Sequence, residues 1–205
     1  MRFDELSRDI LADVRRCVEQ IDGATVDAIA AGIAERGRVF LIGSGRSGKV
    51  LEAMAIRLGH LGIAAHVAGS PECPPVREDD LVLVGSGSGR TARSLGLAEG
   101  ARAAGATLAV ITADPDSPIA GLAETVVDIP APVTLGDGST GLAADGSTGL
   151  AAGGSTGLAA DGTPHTLRSL FEECLLIVCD GMCRLVQDRL GLSTDDMQAR
   201  HAPDQ

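Results

Sequence analysis

Two runs of glycine and hydroxyl residues are the first places in this sequence where chemistry could occur. They are Gly43-Ser44-Gly45-Arg46-Ser47-Gly48 and Gly85-Ser86-Gly87-Ser88-Gly89-Arg90-Thr91. Glycine lets the backbone approach a ligand closely and leaves its N–H groups free to point at it. Serine and threonine add hydroxyl donors, and Arg46 and Arg90 add one guanidinium each. Such a set suits an anion, and phosphate above all. Gly43-x-Gly45-x-x-Gly48 also fits the dinucleotide fingerprint, which requires an acid about 20 residues on, at the end of the next strand. Here that stretch reads Val67-Ala68-Gly69-Ser70, and the nearest acid, Glu72, follows a proline. A second, hydroxyl-rich loop is foreign to that pattern too, so a phosphosugar fits better than a nucleotide. Both loops also read as tight strand-to-helix turns. Their duplication, with Ser86, Ser88 and Thr91 clustered, weighs against a purely structural role.

Proton transfer needs a carboxylate or an imidazole. Glu172 lies in Leu170-Phe171-Glu172-Glu173, and Ser169-x-x-Glu172 reads equally as a capping box opening a helix. The two readings are compatible, because the first turn of a helix can face a ligand. His60 interrupts an apolar helical stretch, where a lone histidine is commonly a hydrogen-bonded core residue. His66 falls mid-strand and reads as structural. His165 closes a low-complexity insertion, and His201 lies in a polar tail. The five cysteines include no C-x-x-C pair. Cys174, Cys179 and Cys183 fall inside an apolar helical pattern, where cysteine packs as a small hydrophobe. No metal site is expected from them.

The elements that must position these residues follow from periodicity. Leu6, Ile10, Val14, Cys17 and Ile21 define one helical face, ended by Asp22-Gly23. Val26, Ile29, Ala30 and Ile33 define a second, with Thr25 as its expected N-cap. Five short apolar runs then read as buried strands, at 39–42, 64–67, 81–84, 108–111 and 126–129. Helical patterns lie between most of them, while 68–80, with Pro71, Pro74 and Pro75, reads as a loop. Alternating strands and helices predict an α/β fold of three αβα layers around a five-stranded parallel sheet, doubly wound in the flavodoxin manner. Both glycine loops then fall at the carboxyl edge of the sheet, where ligands bind. The segment 136–163 holds three copies of a Gly-Ser-Thr-Gly-Leu-Ala-Ala-Asp unit, one with Gly153 in place of the Asp. Its composition predicts a flexible loop inserted into a single domain spanning 1–205. The last predicted helix is apolar on more than one face, which suits burial or an oligomer interface.

Composition narrows the partners. The chain has 205 residues and a net charge of −11, with three Phe and no Trp or Tyr. Acidic character and missing stacking platforms argue against nucleic acid. No run approaches the roughly 18 apolar residues of a membrane span, and the mixed-charge amino terminus does not read as a signal peptide. A cytoplasmic protein is expected.

The strand into Gly-Ser-Gly-Arg-Ser-Gly, the later Ser-Gly-Ser-Gly-Arg-Thr, and the stretch Arg57-Leu58-Gly59-His60-Leu61-Gly62 resemble the SIS (sugar isomerase) domain. With Leu170-Phe171-Glu172-Glu173 and Arg200-His201-Ala202, they resemble its 6-phospho-3-hexuloisomerase branch in particular. The resemblance covers nearly the whole chain apart from 136–163. It implies interconversion of D-arabino-hex-3-ulose 6-phosphate and D-fructose 6-phosphate through a cis-enediol(ate), without metal or organic cofactor. It implies a homotetramer (or dimer) in formaldehyde assimilation, the ribulose monophosphate pathway, coupled to a hexulose-6-phosphate synthase. By position, Ser86, Gly87, Ser88, Gly89, Arg90 and Thr91 would hold the phosphate, and Gly43, Ser44, Arg46 and Ser47 would line the sugar. Glu172 would be the base. His60 would be an acid or ring-opening group, and His201 would reach a neighbouring subunit's site. The chain departs from the pattern just before Phe171, where Thr166-Leu167-Arg168-Ser169-Leu170 replaces a short Pro-x-Gly-Thr-type turn. The alternatives are another phosphosugar isomerase on the same fold, or a non-catalytic phosphosugar-binding regulator with no need of Glu172.

Overall fold

The computed structural model describes residues 2–134, 140–141, 165 and 169–201. Two helices open the chain, α1 (Phe3–Val18) and α2 (Gly23–Arg36). Then come β1 (Arg38–Gly43), α3 (Gly45–His60), β2 (Ala64–Val67), β3 (Leu81–Gly85), α4 (Ala92–Ala103), β4 (Thr107–Thr112) and β5 (Thr125–Asp128). A 3₁₀ turn at Ala120–Leu122 lies between β4 and β5. The chain continues through α5 (Ser169–Arg189) and α6 (Thr194–Arg200). The five strands form one parallel sheet in the order β2-β1-β3-β4-β5. The chain starts in the middle, runs to one edge, and returns past the start, so the order reverses between β1 and β3. In open α/β sheets the ligand crevice lies at that reversal.

Alternation along the strands decides which layer each residue feeds. Val39, Leu41, Leu81, Leu83, Ala109 and Ile111 point to one face, which is covered by α1, α2, α3 and α5. Phe40, Ile42, Val82, Val84, Leu108 and Val110 point to the other, under α4 and the 68–80 loop. Both faces are buried, so these strands read as continuous apolar runs. Phe40 and Phe171 are buried and Phe3 is exposed, which leaves the core almost wholly aliphatic.

Two local expectations change. Asp22, rather than Thr25, caps α2: its carboxylate accepts from the Ala24 amide at 3.0 Å and from the Thr25 hydroxyl at 2.7 Å. The polar tail contains α6, opened by a capping box of Ser193 and Asp196. Most of the octapeptide insertion, with its expected flexibility, lies outside the described residues. Its Thr140–Gly141 forms a strand, β7, paired antiparallel with β6 (Val133–Thr134).

Candidate active site

Strand register brings the two glycine loops together. Gly43 and Gly85 are paired partners at the ends of β1 and β3, so the loops leave the sheet side by side at the order reversal. The first loop closes because two glycines meet. A Cβ on Gly43 would stand 2.9 Å from the Gly48 Cα, and one on Gly48 would stand 3.0 Å from the Gly43 carbonyl oxygen. Only bare backbones let α3 start this close to the end of β1. Ser47 is buried in the first turn of α3, whereas Arg46 is exposed. The Ser44 hydroxyl lies 3.1 Å from that of Ser94, a buried residue of α4.

The second loop is braced by the strand beside it. The Ser86 amide donates to the Ile111 carbonyl, and the Ala113 amide donates to the Gly87 carbonyl. The Thr112 hydroxyl also donates to Gly87. Ser88 accepts from the Arg90 amide at 3.4 Å, and the Arg90 guanidinium meets Asp114 at 3.0 Å. Ser86 is buried, Ser88 half-buried, and Thr91, the N-cap residue of α4, exposed.

Glu172 reaches this edge from α5. Leu175, one turn further along, packs against Gly85. The Glu172 side chain is 14% exposed, and its Oε2 lies 2.8 Å from Arg46 Nε. The structure therefore joins both loops, Arg46 and Glu172. A largely shielded carboxylate beside donor-rich backbone can move a proton, and the adjacent guanidinium can offset charge on a substrate oxygen.

His60 and His201 are not brought to this edge within the chain. Fourteen residues of α3 separate His60 from Arg46, or about 21 Å at 1.5 Å per residue. Their rings lie 4.9 Å apart, at one end of a cavity of about 360 Å³ also lined by Arg57, Asp180, Gln187 and Met197. Partial burial first, then His201 and Arg57, holds the His60 imidazole below the usual histidine range. It is thus biased toward the neutral form.

Beside Glu172, a second cluster forms. His165 is buried, with Nδ1 3.0 Å from Glu173 Oε2 and Nε2 3.3 Å from Asp13 Oδ2 on α1. Arg16 also pairs with Asp13. Cys174, Cys179 and Cys183 are buried along α5, and burial pushes the Cys183 thiol up to about 12. Among the described residues, no group of three or more His, Cys, Asp or Glu side chains converges to hold a metal ion. No helix among them is long and apolar enough to cross a membrane.

Sequence reasoning missed Ser94, Asp114 and His165. Asp114 belongs to an Asp-Pro-Asp turn whose sequence announces only the turn. Ser94 and His165 carry no local pattern, because long-range packing alone gives them their neighbours.

A doubly wound sheet whose two Ser-Gly loops meet at the order reversal places a set of anion-suited donors in the ligand crevice of an α/β domain. The SIS domain model matches residues 32–142, and the chain belongs to the SIS domain family. It is 37% identical to a Mycobacterium gastri 3-hexulose-6-phosphate isomerase, over 96% of this chain and 87% of that one. The Bacillus subtilis (strain 168) 3-hexulose-6-phosphate isomerase is 30% identical over 98% of each chain. A Methanococcus jannaschii crystal structure, for which the same molecular function is inferred, superposes with a TM-score of 0.71. It shares 22% identity and covers 98% of each chain, and so supports the fold.

Proposed function

We propose that this chain is an isomerase interconverting D-arabino-hex-3-ulose 6-phosphate and D-fructose 6-phosphate. The observation that carries the reading is the shielded Glu172 carboxylate, paired with Arg46 at the mouth of two hydroxyl-lined glycine loops. Full-length similarity to 3-hexulose-6-phosphate isomerases supports the choice of substrate. Ser86, Ser88 and Thr91 hold the phosphate through their hydroxyls, which can donate to its oxygens. Gly43, Ser44, Arg46 and Ser47 face the sugar. Glu172 removes the C2 proton of the 3-ulose, leaving a cis-enediolate across C2 and C3. The hydroxyl proton passes from O2 to O3, and Glu172 returns its proton to C3, which leaves the carbonyl at C2. Arg46 offsets the charge that develops on the enediolate oxygens.

His60 and His201 belong to this reading as acid or ring-opening groups for the site of a neighbouring chain, since their own loops are too distant. A homotetramer or dimer is therefore part of the proposal, as are a cytoplasmic location and supply of substrate by a hexulose-6-phosphate synthase. The test is a coupled assay of fructose 6-phosphate formation from enzymatically generated hexulose 6-phosphate. Glu172→Gln is expected to lower kcat by about 10²–10⁴-fold, the range for loss of a general base, with phosphate affinity kept. Activity within a few-fold of the parent would remove Glu172 from the role.

A further inference from the structure

His165 stands just ahead of α5. Its side chain is 3% exposed, and each ring nitrogen faces a carboxylate: Glu173 on α5 at 3.0 Å and Asp13 on α1 at 3.3 Å. Both contacts lie within ion-pair distance, and the imidazole is shielded from water. Asp13 is itself steadied by Arg16, one turn along α1. His165 thus links the first turn of α5 to α1.

The first turn of any helix has amides without intrahelical partners and is the part most ready to fray. Here that turn carries Glu172. Glu173 is its sequence neighbour, so a clamp on Glu173 fixes the rotation of the turn and the direction of Glu172 toward Arg46. A displacement of about 1 Å at a reacting group can cost on the order of 10²-fold in rate. We infer that His165 is a positioning residue that, by bridging Asp13 and Glu173, holds the first turn of α5 so that Glu172 faces the loop site. The inference rests on the reading of Glu172 as the base, and its test separates the two.

The variants are His165→Ala, His165→Gln, Glu172→Gln and the double variant Glu172→Gln with His165→Ala. They are assayed in the full chain, with melting temperature and hydrogen exchange measured alongside. His165→Ala is expected to lower kcat about tenfold, within the range a misplaced group allows, and to leave KM within twofold. His165→Gln, which keeps volume and one donor, recovers part of that loss. The double variant matches Glu172→Gln alone, and amide exchange in His165→Ala quickens in the first turn of α5. Three results would each overturn the inference: kcat within twofold of the parent in both His165 variants, kcat and KM shifting together with a collapse in melting temperature, or a further loss in the double variant. If Glu172→Gln stays active while exchange still quickens at the start of α5, the clamp stands as a structural fact and the base assignment is what fails.

Discussion

Gly89 shows how narrowly the second glycine loop is shaped. Its φ is +55°, and a Cβ there would stand 1.9 Å from the Ser117 hydroxyl and 2.3 Å from the Ser117 Cβ. Ser117 cannot easily retreat, because it is buried and its amide donates to Asp114. Gly45 has a similar φ of +58° but open space around it. Gly45→Ala should therefore cost only the left-handed backbone penalty, about 1–2 kcal/mol. Gly89→Ala should also break the packing, raising KM for the phosphosugar at least about tenfold and lowering the melting temperature more than Gly45→Ala does. Thermal melts and inhibition by inorganic phosphate would check both, and equal behaviour of the two variants would contradict the argument. At this scale the sequence announces residue types well. Both glycine loops could be picked out by residue type, whereas the meeting of Glu172 on α5 with Arg46 comes from long-range packing. His60, which the resemblance implies as an acid or ring-opening group, lies at the opposite end of α3 from Arg46.

Among the elements, strands were the most legible, since runs buried on both faces leave a continuous apolar signature. Helix starts were less so, because a cap is decided by a single hydrogen bond. Asp22 and Thr25 lie three residues apart, and either side chain could serve α2. The structure uses Asp22, and Thr25 supports it by donating its hydroxyl to the Asp22 carboxylate. That hydroxyl first, and the Ala24 amide second, hold the Asp22 carboxyl below the ordinary aspartate range. A carboxyl with a lowered folded-state pKa stabilises the fold fully above its unfolded value, and that contribution fades as pH falls through the folded value. Asp22→Ala should lower the melting temperature at pH 7. The gap from the parent should narrow as pH drops below about 4, where an unperturbed aspartate takes up its proton. Asp22→Asn, which keeps an acceptor, should lose less at pH 7. A gap independent of pH across that window would show that the carboxylate is not the capping group. The seven-residue α6 escaped notice because it has no apolar period, although its Ser193-x-x-Asp196 signal was present.

For the whole molecule, the question is what covers the apolar surface left on the α-helical face. Ile56 on α3 is 61% exposed, and Leu176 and Ile177 on α5 are 43% and 45% exposed. A net charge of −11 makes copies of the chain repel one another, so association must draw on apolar contact. The same helices carry Arg46 and Glu172 at one end and His60 at the other, so a second copy packed on this face could bring its His60 and His201 toward the first copy's loops. The broad apolar pattern of α5 is what raises the expectation of an interface from the sequence. Its geometry was not, because no residue pattern within one chain records where a second chain sits. Light scattering of the parent at micromolar concentration should show a dimer or tetramer. Leu176→Glu with Ile177→Glu adds two carboxylates to the exposed side of α5, away from the core, and should shift the population toward monomer. Turnover should fall in step with dissociation if the histidines work across subunits, while inorganic phosphate should still bind, since both loops belong to one chain. A parent that is monomeric, or a monomeric variant with full turnover, would show instead that each chain isomerises its substrate with its own residues alone.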